Sequence, residues 1–184
     1  MKIRWMACIV FLLFSQNMIF PQGDSMEAVA NKKYAPALNS LGIDLDYALF
    51  GQFQGAAVKV KLPVTDWLSL RATSRLAFSV LQQSGSDIKY DFSYIPSAEI
   101  LLQSNTVFHN ILRPYLVYDL NYIYGIQNQT SLLAYSLRSA LEFYLTTTNS
   151  LYIEAGLQLP LVRSSDANIP GGGIIVLGGA WYFD

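Results

Sequence analysis

The chain is poor in charge. Only 14% of its 184 residues are Asp, Glu, Lys or Arg, where a soluble domain carries about 25%. A fully water-exposed surface of ordinary polarity is therefore not expected. Long apolar runs are missing too, apart from one at the N-terminus. A bundle of membrane helices needs repeated runs of about 20 apolar residues, so that class is excluded. No segment longer than a few residues has a helical period. The net charge of -1 removes the excess of cations that nucleic acid would require. There is one cysteine, Cys8, and one histidine, His109. Cys8 lies in the N-terminal run, so the mature chain is expected to have no disulfide. A single histidine with no Cys or His partners offers no metal constellation.

What the chain has instead is apolar and aromatic. Hydrophobic residues make up 52%, with twelve Tyr and ten Phe. From Leu41 onward these alternate with polar residues. Asp44, Asp46, Lys59, Lys61, Arg71, Arg75, Lys89, Asp91, Glu99, Arg113, Asp119, Arg138, Glu142 and Glu154 each fall on one parity within their own segment. The other parity is almost purely apolar. In a strand, parity is a face of the sheet. One face is therefore greasy and the other ionic.

Clusters of Gly, Pro, Asn, Asp and Ser cut the alternating region into eight segments. Strands are expected near 40–50, 54–62, 67–81, 88–103, 113–125, 131–145, 150–162 and 172–183. A membrane-crossing strand needs about 9–11 residues, and most of these suffice. The expected fold is all-β, an eight-stranded antiparallel up-and-down transmembrane β-barrel. Its apolar parity faces lipid and its charged parity faces the lumen. An even strand count puts both chain ends on one side. The turns at 63–66, 104–112 and 146–149 lie on that side, and the connections at 51–53, 82–87, 126–130 and 163–171 on the other. A soluble eight-stranded ligand carrier has the opposite polarity. It would bury the fourteen charges and expose Leu151, Ile153, Leu157, Leu159 and Leu161, so it is excluded.

Lys2 and Arg4 followed by the apolar stretch from Met6 to Phe14 read as a secretory signal. Residues 1–23 are assigned to it, 24–39 to a short periplasmic lead-in and 40–184 to the barrel. At the C-terminus Ile175, Leu177, Gly179, Trp181 and Phe183 alternate on the lipid-facing parity, and Asp184 follows. In this the chain resembles small eight-stranded bacterial outer-membrane proteins of the OmpA transmembrane-domain and OmpX type. The resemblance spans about residues 40 to 184 and implies location in the bacterial outer membrane. It implies outer-membrane lipids as surroundings. During biogenesis it implies periplasmic chaperones and a barrel-assembly machinery that reads Trp181 and Phe183. Aromatic residues fit interfacial girdles: Trp67, Phe143, Trp181 and Phe183 on the periplasmic rim, and Tyr90, Phe92, Tyr122, Tyr124 and Tyr135 on the outer rim.

Eight strands enclose a space just wide enough for side chains, and buried charges must pair. The lumen set holds seven cations and seven anions, which suits a closed polar plug better than an aqueous gate or proton path. Hairpin closure near 52–53 sets Asp46 opposite Lys59 and Asp44 opposite Lys61. Centring the next outer hairpin on 85 sets Arg71 opposite Glu99. Centring the third near 128 sets Asp119 opposite Arg138 and brings Arg113 near Glu142. The 146–149 turn sets Glu142 opposite Glu154.

No nucleophile–base pattern surrounds His109, so no catalytic residue, cofactor or metal is expected. The Gly171-Gly172-Gly173 run lacks the lysine and helix of a phosphate loop. A non-enzymatic structural role in the envelope is the leading expectation. A narrow channel or carrier of small hydrophobic molecules comes second, and a surface adhesin or receptor third, because the outer connections are short.

Overall fold

The computed structural model describes residues 40–51, 53–82, 88–104, 112–127, 129–163 and 172–183. The expected signal and lead-in segments, His109, Gly171 and Asp184 lie outside the described residues, as does the side chain of Lys89.

Eight strands follow one another in space as in sequence. They are β1 (Leu41–Phe50), β2 (Phe53–Thr65), β3 (Leu68–Gln82), β4 (Ile88–Gln103), β5 (Leu112–Gly125), β6 (Ser131–Tyr144), β7 (Asn149–Arg163) and β8 (Gly172–Phe183). Every neighbouring pair is antiparallel, and β1 pairs with β8 from Leu41↔Phe183 to Phe50↔Ile174. The sheet is thus a closed barrel, which leaves no unpaired edge along its wall. The all-β up-and-down fold and the strand limits agree with the alternation to within a few residues.

The alternation has a direct physical consequence. Leu45, Leu76, Leu157 and Leu177 project outward and are exposed, while Asp44, Arg75, Glu154 and Tyr182 project inward and are buried. Among the strand residues whose side chains are described, which leaves out Lys89 and Arg163, no Asp, Glu, Lys or Arg faces outward. Outward polar groups pair locally in two places: the Tyr47 hydroxyl donates to Gln54 at 2.8 Å, and Ser74 donates to Tyr94 at 3.3 Å. Trp67, Phe143, Trp181 and Phe183 are exposed near the end where the chain enters and leaves, here the terminal end. Phe92 and Tyr122 are exposed near the opposite, far end, whereas Tyr124 and Tyr135 are half-buried.

Turns fix the register. The β1–β2 hairpin closes between Phe50 and Phe53, with Gly51 in the left-handed region at φ 59°, where a side chain is disfavoured. The turn centre is therefore one residue earlier than expected, which moves the pairing by two. Asp44 lies opposite Lys59, Asp46 opposite Ala57 and Gly42 opposite Lys61. Arg71 lies opposite Glu99, and Arg113 opposite Glu142. Asp119 faces Ser136 rather than Arg138. At the other turn, the Leu145 and Thr146 amides both donate to the Asn149 carbonyl, at 3.0 and 3.2 Å. That closure sets Glu142 opposite Tyr152 and Glu154 opposite Ala140, so the expected Glu142/Glu154 confrontation does not arise.

Three prolines mark irregularities, the first at the Pro63/Thr65 register shift of the β2–β3 ladder. A bulge at Leu133/Ala134 brings Ala134 opposite Pro160. The β4–β5 ladder is interrupted between Tyr94↔Tyr124 and Ser97↔Asn121, where Pro96 has no N–H to give.

Candidate functional site

The lumen is the only place where this fold gathers reactive side chains among the described residues. It is built in three tiers.

The middle tier is ionic. Arg71 on β3 donates through Nε to Glu99 at 2.7 Å, through Nη1 to Asp44 at 3.2 Å and through Nη2 to Glu154 at 2.6 Å. Arg138 on β6 places its guanidinium 2.6 Å from Asp119, 2.7 Å from Glu154 and 3.2 Å from Glu99. Lys59 on β2 lies 2.6 Å from Asp46 and 3.6 Å from Glu99. Arg75 reaches the other side of Asp46 at 3.1 Å. Four cations and five carboxylates thus form one continuous network contributed by β1 to β7. Strands in a barrel tilt, so side chains meet diagonally as well as directly across a ladder. That is why Asp46 still meets Lys59, and Asp119 still meets Arg138, although neither pair is in direct register.

Neutral donors complete this tier. Thr73 donates to Glu99 at 2.6 Å, Tyr115 to Glu154 at 2.9 Å, and Ser136 to Asp119 at 2.6 Å. Asn121 also donates to Asp119. The Tyr152 ring lies 5.6 Å from both Lys59 Nζ and Arg71 Cζ. A carboxylate has about four acceptor sites, so guanidinium groups alone would leave these oxygens under-satisfied. Counting only charges misses these hydroxyls, yet each lies on the lumen parity and was identifiable by that signal.

The terminal tier is built on Glu142, Lys61, Arg113 and two tyrosines. Ser150 donates to Glu142 at 2.6 Å and Tyr144 at 3.1 Å. Tyr182 donates to the same carboxylate and accepts from Lys61 Nζ at 3.3 Å. Lys61 therefore reaches Glu142 through a phenol. Arg113, despite its register opposite Glu142, donates to the backbone carbonyls of Ser104 and Asp66, both at 2.9 Å. It holds two terminal-end turns to the barrel wall. Tyr182 joins β8 to β2 and β6 and packs over Gly42 of β1, where an added Cβ would lie 3.2 Å from the ring. Tyr182→Phe removes both phenol hydrogen bonds and leaves Glu142 short of a donor. The expected cost is about 1–3 kcal/mol, read as a lower midpoint in urea-induced unfolding of the detergent-solubilised barrel. An unchanged midpoint would rule this junction out as a stabilising contact.

Lys59, Lys61, Arg71, Arg75, Arg113 and Arg138 are buried, as are Asp44, Asp46, Glu99, Asp119, Glu142 and Glu154. The fully buried set is therefore balanced, six charges of each sign. Asp91 lies near the far end and is half-buried. A gap remains between the middle and terminal tiers, bordered by Asp44, Arg71, Gln103, Tyr115 and Glu142, and it is too small to admit a water molecule.

The far tier departs from the ionic pattern. Phe50, Phe53, Ile95, Ile123, Leu132 and Ile174 project inward and are at most 6% exposed. The Phe50 and Phe53 rings stack with centroids 5.6 Å apart. These residues sit on the same parity as the charges. A parity rule centred on the charged positions passes over them.

Among the described residues, no group of three His, Cys, Asp or Glu is placed to hold a metal ion. Among the described residues, the six buried carboxylates of the lumen are all engaged with cations or hydroxyls, and the gap beside them is too small for a substrate.

Comparison with known proteins recovers the architecture. No family model and no curated protein sequence matches the chain. Among solved structures it is similar to the N-terminal β-barrel domain of Pseudomonas aeruginosa OprF, with a TM-score of 0.55 and 16% identity over 79% of this chain and 98% of that one. It also matches a structure from the de novo design of transmembrane β-barrels, with a TM-score of 0.47 and 12% identity over 79% of this chain and 96% of the other. At such identity the first match establishes a shared fold, a small closed β-barrel.

Proposed function

We propose that this protein is an integral β-barrel of the bacterial outer membrane that serves a structural role in the envelope and has no enzymatic activity. One observation carries the proposal: an outward face without charge surrounds a lumen packed with mutually neutralising ions. A monomeric soluble protein rarely exposes a contiguous apolar patch beyond a few hundred Å². Here apolar side chains project outward from every strand, and lipid is the solvent that suits them. The lumen has the opposite chemistry, and its charges are spent on one another.

The fold it shares with the OprF barrel domain supports the same surroundings. Trp181 and Phe183 stand on the outward face of the closing strand, where a barrel-assembly machinery could read them, and passage to that machinery calls for periplasmic chaperones. A channel would need an open path, and the packed tiers speak against one. A carrier of small hydrophobic molecules would need a cavity larger than the gap between the tiers. An adhesin would be expected to present longer loops than the four outer connections, the longest of which spans residues 163–171.

The test combines membrane fractionation with electrophoresis of boiled and unboiled samples. The protein is expected in the outer-membrane fraction, with the unboiled form migrating as a compact species that boiling converts to the extended one. Recovery in the soluble fraction, or identical migration of both samples, would overturn the proposal.

A further inference from the structure

We propose that the barrier to ions in this barrel is the uncharged far tier of the lumen, and not the ion-pair network beneath it. This rests on the closed-barrel reading and specifies what does the closing.

The two tiers differ in what they could offer a passing ion. The ionic network is tight but interchangeable. Arg138 touches three carboxylates, and Lys59 has carboxylates at 2.6, 3.6 and 4.0 Å. Either cation can leave one partner and keep another. Charged and hydroxyl groups can also replace part of an ion's hydration shell. Such a tier resists passage only as long as it stays packed.

The far tier offers few such groups, and none of its buried side chains is charged among the described residues. Phe50 on β1, Phe53 on β2, Ile95 on β4, Ile123 on β5, Leu132 on β6 and Ile174 on β8 converge there, all buried and all belonging to one continuous cluster. Six of the eight strands contribute, so the layer crosses the lumen instead of lining one wall. The buried polar side chains at that level, including Ser79, Ser93 and Gln158, are neutral, and the charge beside them, Asp91 opposite Ser79, is half-buried at the far edge of the layer. An ion entering it must shed water and gain nearly nothing in return. Hydrophobic constrictions in channels close by this dewetting. The tiers are in contact: the Arg75 guanidinium lies 5.9 Å from the Phe50 ring.

The test is single-channel recording from the full, folded barrel in planar lipid bilayers. Heat-modifiability is checked for each variant first, and only folded barrels are recorded. The wild type is expected to be silent. Phe50→Ser/Phe53→Ser is expected to show discrete ion-conducting openings, and Arg138→Gln/Glu154→Gln to stay silent. Should the phenylalanine double variant not fold, Ile123→Ser/Ile174→Ser probes the same layer from two other strands. A folded far-tier variant that stays silent overturns the proposal, as does an Arg138→Gln/Glu154→Gln barrel that conducts while the far tier is intact. Openings in the wild type would instead sink the closed-barrel reading. The far-tier proposal would then survive only if the phenylalanine substitutions raised the conductance further.

Discussion

Arg138→Ala lowers the stability of the folded barrel by about 3–5 kcal/mol, the cost of removing one partner from a buried ion network. The guanidinium is fully buried and stands between Asp119, Glu99 and Glu154, at 2.6, 3.2 and 2.7 Å from their oxygens. Removing it does more than delete three attractions. It leaves carboxylates whose desolvation is no longer offset, and water entering the vacated space restores only neutral dipoles where a cation stood. Arg71 and Lys59 also touch Glu99 and Glu154, so those two keep partial compensation. Asp119 retains only the neutral donors Ser136 and Asn121.

Arg138→Lys is expected to recover part of the loss, since it restores the charge without the planar fork that serves several carboxylates at once. In a double-mutant cycle, Arg138→Ala with Glu154→Gln should cost less than the sum of the single changes, because the second substitution removes one of the orphaned charges. The measurement is urea-induced unfolding of each variant in the same detergent. An Arg138→Ala barrel that unfolds at the wild-type urea concentration would show that the network does not exist in the folded protein. A large loss would not make the ion pairs a better choice than an apolar core, since well-packed apolar replacements of whole networks are often neutral or stabilising.

Gly156→Ala has the second large effect, and its cause is steric. Gly156 of β7 lies directly opposite Arg138 of β6. A Cβ there would run into the carbonyl oxygen of Leu137 and lie 2.7 Å from the Arg138 Cα. Both obstacles are backbone, so neither can rotate aside. The methyl can be admitted only by pushing β7 off β6, which breaks ladder hydrogen bonds and displaces Arg138 from the network. Overpacking typically costs about 1–3 kcal/mol and occasionally more, and the upper part of that range is expected here. Gly173→Ala is the control. It lies on the same barrel, with nothing within 4 Å of an added Cβ, and a substitution away from any structural constraint stays within about 0.5 kcal/mol. Equal unfolding midpoints for the two variants would show that the strands do not approach as closely as described. Gly178 meets a related constraint, since its missing Cβ makes room for the Tyr152 phenol and lies 2.8 Å from the Leu45 carbonyl oxygen. A glycine beneath an aromatic ring on the neighbouring strand is a recurrent device for curving a sheet.

These effects show where the sequence is legible and where it is not. Parity identified the inward side of every strand that carries a described lumen charge, because alternation is a property of the chain alone. It did not identify which charges meet. Moving the β1–β2 turn centre by one residue turned Asp44 from Lys61 to Lys59, and only the conformation of Gly51 decides that. The like-charge contact expected of Glu142 and Glu154 disappeared for the same kind of reason, at the 145–148 turn. Tyr115, Tyr152 and Tyr182 were readable as strand residues, yet their hydroxyls became carboxylate donors only once strands distant in sequence closed around them.

What the amino-acid sequence determined by itself is the two-faced strand, the number of strands and the outward apolar surface, since a period of two needs no partner to be read. The separation of the lumen into terminal, ionic and far tiers was decided by the tertiary structure. Height along the barrel depends on strand tilt and on the exact closing point of every turn, and these are summed around eight strands. Phe50, Arg75 and Tyr182 share one parity, and only the closed barrel sets them at three different depths.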